Sequence, residues 1–255
     1  NKKIKLLVNK KNEGVIFSAN RALKYVESDF VYFASSNDTY SKHIVSEAKR
    51  LIQMHPTVKM VSGGIELETK LEKFEKYELP FDKRQSIVWP SEIRDRLIEG
   101  SFSFLGGGNV MHTKTIGELG IINTELEWHA DWLLYLIISL KHPIAVTKIS
   151  FTKQGYSKNR YSSAMKNIFK QKSVTIATLD ILKAKFPKEY ELFILSATVA
   201  YPRLSTFVSI LMTRGHIRFI TLKLFWRCVI FTTLSPFGGL LAPDTKTKLR
   251  RRLRV

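Results

Sequence analysis

The sequence predicts an α/β protein: a mixed, mainly parallel sheet with helices on both faces, followed by a helical C-terminal region. Three observations lead there. Short β-branched and aromatic runs alternate with helical stripes through the first half. Each run ends in small polar residues or glycine, as strands feeding crossover helices do. Beyond Ser162 the strand pattern stops and helical spacing takes over.

Taken in order, Ile4 to Val8 is the first expected strand and "NKKNEG" a loop. Ala19, Ala22, Leu23 and Val26 give Val15 to Val26 one apolar helical face. "DFVYF" reads as a buried strand, Phe30 to Ala34, that stops in Ser35-Ser36-Asn37-Asp38. Ser41 is a candidate cap for a helix carrying Ile44, Ala48 and Leu51, which Pro56 ends. "VKMVSGG" is a further strand closed by Gly63-Gly64, and residues 66–90 read as a charged surface excursion. A short helix through Ile116 and Leu119 stops at Gly120, an apolar helix runs from Asp131 to Lys141, and "PIAVTKISF" returns as a strand. The expected organisation is a domain over 1–162 and a basic helical region over 163–255. The chain opens on Asn1 and directly into an apolar run, which suggests a domain cut at its N-terminus.

Composition narrows the classes. At 255 residues with 44% apolar residues and 16 Phe, the chain can bury a real core. The single Cys228 cannot form an internal disulfide, and its neighbours "FWRCVIF" mark it as a small core residue. The formal charge is +19, and residues 201–255 hold eleven Lys or Arg against one acid, Asp244. Such a field favours anionic partners. Nucleic acid is not the expected one, because the aromatics fall in apolar runs and are not interleaved with basic residues as stacking platforms. Arg214, Arg218, Lys223 and Arg227 interrupt the apolar C-terminal runs, so no spanning helix is expected. Two readings of that region stand side by side: helices lying in a membrane interface, or a helical subdomain packed on the α/β layer. "KTKLRRRLRV" would add electrostatic adhesion to an anionic surface, roughly 1 kcal/mol per basic residue.

Three constellations could carry chemistry. Ser35, Ser36, Asn37 and Asp38 sit at a strand end, where open α/β sheets bind ligands. Asp38 is a hard oxygen ligand of the kind Mg²⁺ or Mn²⁺ takes, Asn37 a neutral one, and the serines can donate to phosphate; an ordinary turn explains the same residues. In "WHADW", Asp131 heads an apolar helix, as a helix-stabilising carboxylate or as a general base, with Trp128, His129 and Trp132 around it. Gly14 precedes a helix whose early turns hold Asn20 and Arg21, a possible diphosphate contact. The run "FLGGGNV", with Gly107 and Gly108, permits a close backbone approach or simply a bulge.

In this order the pieces resemble glycosyltransferase family 2. "NEG…NRAL", the strand, and "SSND" are similar to that family's N-x-G helix and aspartate-rich turn, and "ELEWHADW" to its acceptor-side loop; "RYS" looks like the end of its catalytic domain. The resemblance covers residues 4–162. It implies a GT-A fold and inverting transfer from a nucleotide-sugar donor to a glycan or lipid-linked acceptor, in cell-surface polysaccharide or glycoconjugate synthesis. It further implies a cytoplasmic protein resting on the inner face of the membrane. By the same resemblance Asp131 is the base; Gly14, Asn20, Arg21, Ser35, Ser36 and Asn37 meet the donor; Gly107, Gly108, Trp128, His129 and Trp132 meet the acceptor. Asp38 and Asn37 would hold Mg²⁺ or Mn²⁺. Asn37 stands where the family has a second carboxylate, the sign of a first alternative, a degenerate binding protein; the +19 charge suggests a second, a basic nucleic-acid-binding protein, and the C-terminal helices a third, a partner-binding module.

Overall fold

The computed structural model describes residues 4–68, 74–82, 86–100, 102, 104, 106–120, 122–155 and 167–234. Its helices are α1 (Val15–Leu23), α2 (Ile44–Met54), α3 (Pro90–Glu99), α4 (Thr113–Leu119), α5 (Ala130–Lys141), α6 (Ile168–Lys185), α7 (Pro187–Ser196), α8 (Leu204–Leu211) and α9 (Leu222–Leu234). The strands are β1 (Phe30–Tyr32), β2 (Asp38–Tyr40), β3 (Met60–Glu68), β4 (Phe74–Tyr77), β5 (Ile87–Val88), β6 (Asn109–His112) and β7 (Ile144–Gln154). Strand order is β1-β6-β3-β7-β2, with β4 on β3 and β5 on β7.

The mixed sheet, the flanking helices and the helical C-terminal region are as the sequence predicts, but direct parallel pairing is rarer. Among the described residues only β3 and β7 pair in parallel. β1 runs in the same direction as β3, yet β6 lies between them and pairs antiparallel with both. The crossover direction was therefore legible and the neighbour was not: β6 reaches the gap from about 50 residues further on, which local pattern does not encode.

Sheet alternation feeds two cores. Val61, Val110 and Ala145 face α2, where Ile44, Ala48 and Leu51 complete a small cluster. Met60, Met111 and Ile144 face a larger one with Ile93 and Leu97 of α3, most of α5, and Leu182, Phe193, Ile210, Leu224 and Cys228 of the C-terminal helices. Apolar burial at roughly 25 cal/mol per Å² thus ties the C-terminal helices to the sheet through one continuous core. Cys228 is wholly buried, as expected.

Other local expectations change. Ile4 to Val8 forms no strand; Leu6 is 82% exposed, with no ladder partner to order it. The first helix ends at Leu23, where Tyr25 and Val26 amides fold back on Ala22 and Leu23 carbonyls. Ser41 does not cap α2; its Oγ accepts from the His43 amide one turn early. Gly63-Gly64 does not close β3, which continues to Glu68; the pair sits at a register shift against β7. The Phe151 ring occupies the space a Gly63 Cβ would need, 2.4 Å away, so only glycine lets the strand pass. Within 66–90, β4 and β5 extend the sheet, their charges held by Lys76, Glu78 and Lys148 pairing at the surface. The expected boundary near 163 and the "RYS" triplet lie outside the described residues, as does the chain from 235 on.

Candidate active site

"SSND" folds as a β-turn joining β1 to β2, not as a lead into a helix. The Asp38 amide donates to Ser35 O at 3.3 Å and the Asn37 amide to Ser35 Oγ at 3.4 Å. Tyr40 Oη also donates to Ser35 O. These bonds fix the turn while leaving Ser35, Ser36 and Asn37 exposed and Asp38 half-buried. A turn and a ligand site are compatible here, because Ser35, Ser36 and Asn37 stay exposed to solvent within the turn.

Register then decides what Asp38 faces. It lies opposite Gln154 in the β2–β7 ladder, and Tyr40 lies opposite Thr152, so these four share one face. Gln154 Nε2 donates to Gly106 O at 2.6 Å. Thr152 and Tyr32 share a hydroxyl–hydroxyl bond, and Tyr32 Oη accepts from the Gly108 amide at 3.4 Å. The glycine run is pinned between these partners and α5. A Cβ on Gly106 would sit 2.7 Å from Asp131 Oδ2; Gly107 and Gly108 have φ of +90° and +71°, with Gln154 and Ile65 at 3.0 Å. The run is thus a close approach, but to the protein's own carboxylate and amide. Asp38, opposite Gln154 in the ladder, and Asp131, against Gly106, thus lie on the two sides of the Gln154–Gly106 hydrogen bond, although 93 positions separate them.

Asp131 stands in the first turn of α5, where its Oδ1 accepts the Trp132 amide at 2.7 Å. Burial pushes its carboxyl up to about 6, and the backbone amides limit the rise. Tyr135 and Tyr201 both sit in its field; burial first, then Asp131, raises both phenols, Tyr201 to about 12, so both remain neutral donors. Asn109, at the start of β6, donates to Gly107 O at 2.6 Å, while its Oδ1 is buried with no partner among the described residues. A carboxylate near pKa 6 beside neutral phenols is mostly ionised at pH 7 and able to take a proton.

The neighbours of Asp131 divide by burial. His129 is 2% exposed and donates from Nδ1 to Thr178 Oγ1 at 2.9 Å, because that hydroxyl already donates to Val174 O. Its Nε2 accepts from Gln171 Nε2 at 3.3 Å, and Gln171 Oε1 accepts from Trp128 Nε1 at 3.1 Å. Burial depresses His129 to about 3, so it is neutral. Trp128 and Trp132 are likewise core residues, Trp132 edge-on to Phe193. The three expected acceptor contacts are therefore the joint between α5 and α6, out of an acceptor's reach. In α1, Asn20 Nδ2 donates to Ile122 O at 2.7 Å and Arg21 to Val8 O and Asn9 Oδ1. Both hold α1 in place, and Gly14, with φ of +84°, stands in open space.

Among the described residues no group of three or more His, Cys, Asp or Glu could enclose a metal. Asp38 and Asn37 nevertheless fit a hard divalent cation of the kind that keeps its waters, binds one carboxylate and takes its other oxygens from a diphosphate. Gln154, Thr152, Tyr32, Tyr135, Asn109 and Tyr201 were missed from sequence. Only Asn109, directly after three glycines, carried a local signal.

No protein-family model matches the sequence, and no curated protein matches it. Solved structures do: TarS 1-349 of S. aureus aligns over 97% of this chain and 72% of its own, with TM-score 0.54 and 14% sequence identity. The same TarS fragment in complex with UDP-GlcNAc aligns over 92% of this chain and 69% of its own (TM-score 0.48, 14% identity), and in complex with UDP over 92% and 68% (0.47, 15%). The chain is similar in fold to TarS 1-349.

Proposed function

We propose that the protein is an inverting nucleotide-sugar glycosyltransferase, related in mechanism to family 2. The observation that carries this reading is the placement of Asp38 and Asp131 on either side of the Gln154–Gly106 hydrogen bond, in a fold similar to that of the glycosyltransferase TarS. UDP-GlcNAc, which one TarS structure contains, is the first donor to test.

In this reading the exposed Ser35, Ser36 and Asn37 and the half-buried Asp38 meet the donor diphosphate. A bound Mg²⁺ or Mn²⁺ would supply charge neutralisation on the leaving diphosphate. Asp131 accepts the proton of an acceptor hydroxyl, whose oxygen attacks the anomeric carbon as the bond to the diphosphate oxygen breaks. Inversion follows from a single displacement. Tyr135 and Tyr201, held neutral, donate hydrogen bonds near the reacting groups, and the glycine loop fixes where Asp131 points. The acceptor is a glycan or a lipid-linked saccharide of cell-surface assembly.

Calorimetric titration with UDP-GlcNAc and UDP, with and without Mn²⁺, together with UDP release in the presence of saccharide acceptors, tests this. Saturable cation-dependent binding with turnover is expected. Binding without turnover across acceptors, unchanged in Asp131→Asn, would support the degenerate alternative; no binding of any nucleotide-sugar would sink the reading.

A further inference from the structure

The apolar faces of α8 and α9 are left unused by this chemistry. On α8 the exposed apolar residues are Leu204, Val208 and Leu211, with Met212 just past its end; that spacing is one helical stripe. On α9 they are Leu222, Phe225 and Trp226. The opposite faces, through Ile210, Leu224 and Cys228, enter the core. The two stripes merge. The Leu204 amide donates to Thr232 Oγ1 at 3.0 Å, Phe207 meets Phe225 edge-on at 5.4 Å, and Phe225 meets Trp226 at 5.6 Å. Leu222 is 73%, Met212 71% and Trp226 53% exposed, far more than scattered surface apolar residues require.

The stretch that forms this patch is basic in sequence, with Glu191 pairing Arg218 and Asp180 beside His216. Residues 201–234 contain five Lys or Arg and no acid. Lys223 and Arg227, expected on the polar face of an interfacial helix, turn inward instead: Lys223 donates to Ile98 O, Arg227 to Ser196 O and Ala197 O. Arg214 is exposed, and among the described residues no side-chain partner holds it. Six further basic residues follow in 235–255 against Asp244. Two adjacent helices with apolar, aromatic-bearing outer faces, an exposed Arg214 in the segment that joins them and a basic stretch following in sequence match the requirements of an interfacial layer.

We propose that α8 and α9 seat the protein on an anionic lipid bilayer, with Leu211, Met212, Leu222 and Trp226 entering the headgroup layer and Arg214 contacting lipid phosphate. A consequence rests on the glycosyltransferase reading: Tyr201 and Arg203 open α8, and the Tyr201 ring lies 5.7 Å from that of His129, which precedes Asp131 by two residues. A bilayer on this face would present lipid-linked acceptors close to the base.

Flotation of the full chain with phosphatidylglycerol–phosphatidylcholine vesicles, against phosphatidylcholine alone, is the test. Binding to the anionic vesicles only is expected, with a loss of about tenfold or more in Met212→Ser/Trp226→Ser and a smaller, salt-sensitive loss in Arg214→Glu. Both variants change exposed side chains, and unaltered melting curves would confirm their fold. Three results would overturn the proposal: no flotation with either lipid, undiminished flotation of the double variant (adhesion by the basic tail alone), or a dimer in sedimentation velocity that the same substitutions dissolve. UDP-GlcNAc titration of the double variant separates the two readings, because vesicle binding does not depend on donor binding.

Discussion

The two ends of the polar connection are built in opposite ways. At one end Asp131 is walled in by the glycine loop, Tyr135 and Tyr201, and rests on a buried network in which the donors and acceptors of Trp128, His129 and Gln171 are matched. At the other end Asp38 sits on a three-residue strand after an exposed turn held by local hydrogen bonds. On the glycosyltransferase proposal a base must be in place before the substrate arrives, and burial supplies Asp131 with both a fixed position and a raised pKa. A diphosphate and its cation bring their own charge and ligands, so their end can stay open to solvent.

The largest effect is expected at the buried end. Asp131→Asn keeps the shape and removes the base, and turnover should fall by ~10³-fold. The folded carboxyl is raised from 3.8 to about 6, so the folded state binds more protons between those values, and its stability falls as pH rises through that window and levels off above it. The asparagine variant should therefore melt higher at pH 8, by roughly 1–3 kcal/mol, while it loses activity. The wild-type rate should rise with pH through about 6. An asparagine variant that is both slow and less stable would mean Asp131 acts as a helix cap.

At the open end, Asp38→Asn should weaken donor binding and abolish its response to Mn²⁺, for a loss of ~10²-fold in kcat/KM. Calorimetry with and without Mn²⁺ reads this directly, and a cation response that survives would move the cation elsewhere. Gly106→Ala tests the connection itself. The added methyl meets Asp131 Oδ2 at 2.7 Å, so the carboxylate must turn away. A displacement near 1 Å costs ~10²-fold in turnover where positioning matters. KM for the donor should stay nearly constant, because Asp38 is untouched.

How much of this was legible follows the same divide. The strand in "DFVYF", its polar stop, and a carboxylate opening an apolar helix are local patterns that stand in the fold, although the strand is shorter than expected (Phe30–Tyr32, not Phe30 to Ala34) and half-buried, not buried. Gln154 could not be found that way: a glutamine closing a strand looks like surface until the β2 register sets it opposite Asp38. Tyr201 belongs to the region read as separate and reaches Asp131 only because the C-terminal helices share the sheet's core. His129 looked like a site residue since its partners, Gln171 and Thr178, are 42 and 49 positions away. Burial of a polar group by distant partners leaves no local trace.

The smallest effect on turnover, and the clearest on stability, is expected at that histidine. Its pKa is depressed to about 3, so the unfolded chain binds a proton that the folded one does not as pH falls below about 6.5. His129 thus contributes stability above 6.5 that is lost on acidification, at up to about 1.4 kcal/mol per pH unit. His129→Gln removes the titration while keeping a donor and an acceptor for Thr178 and Gln171. At pH 7.5 it should cost about 1–2 kcal/mol through imperfect geometry. Between pH 6.5 and 5 its melting temperature should fall more gently than that of the wild type. His112 and His142 are depressed as well, so the difference between the two curves carries the result. Parallel curves would show that protonation of His129 is not what loosens the joint between α5 and α6. Donor affinity should be equal in both proteins at pH 7.5, since the network supports the base's end and leaves the diphosphate's end alone.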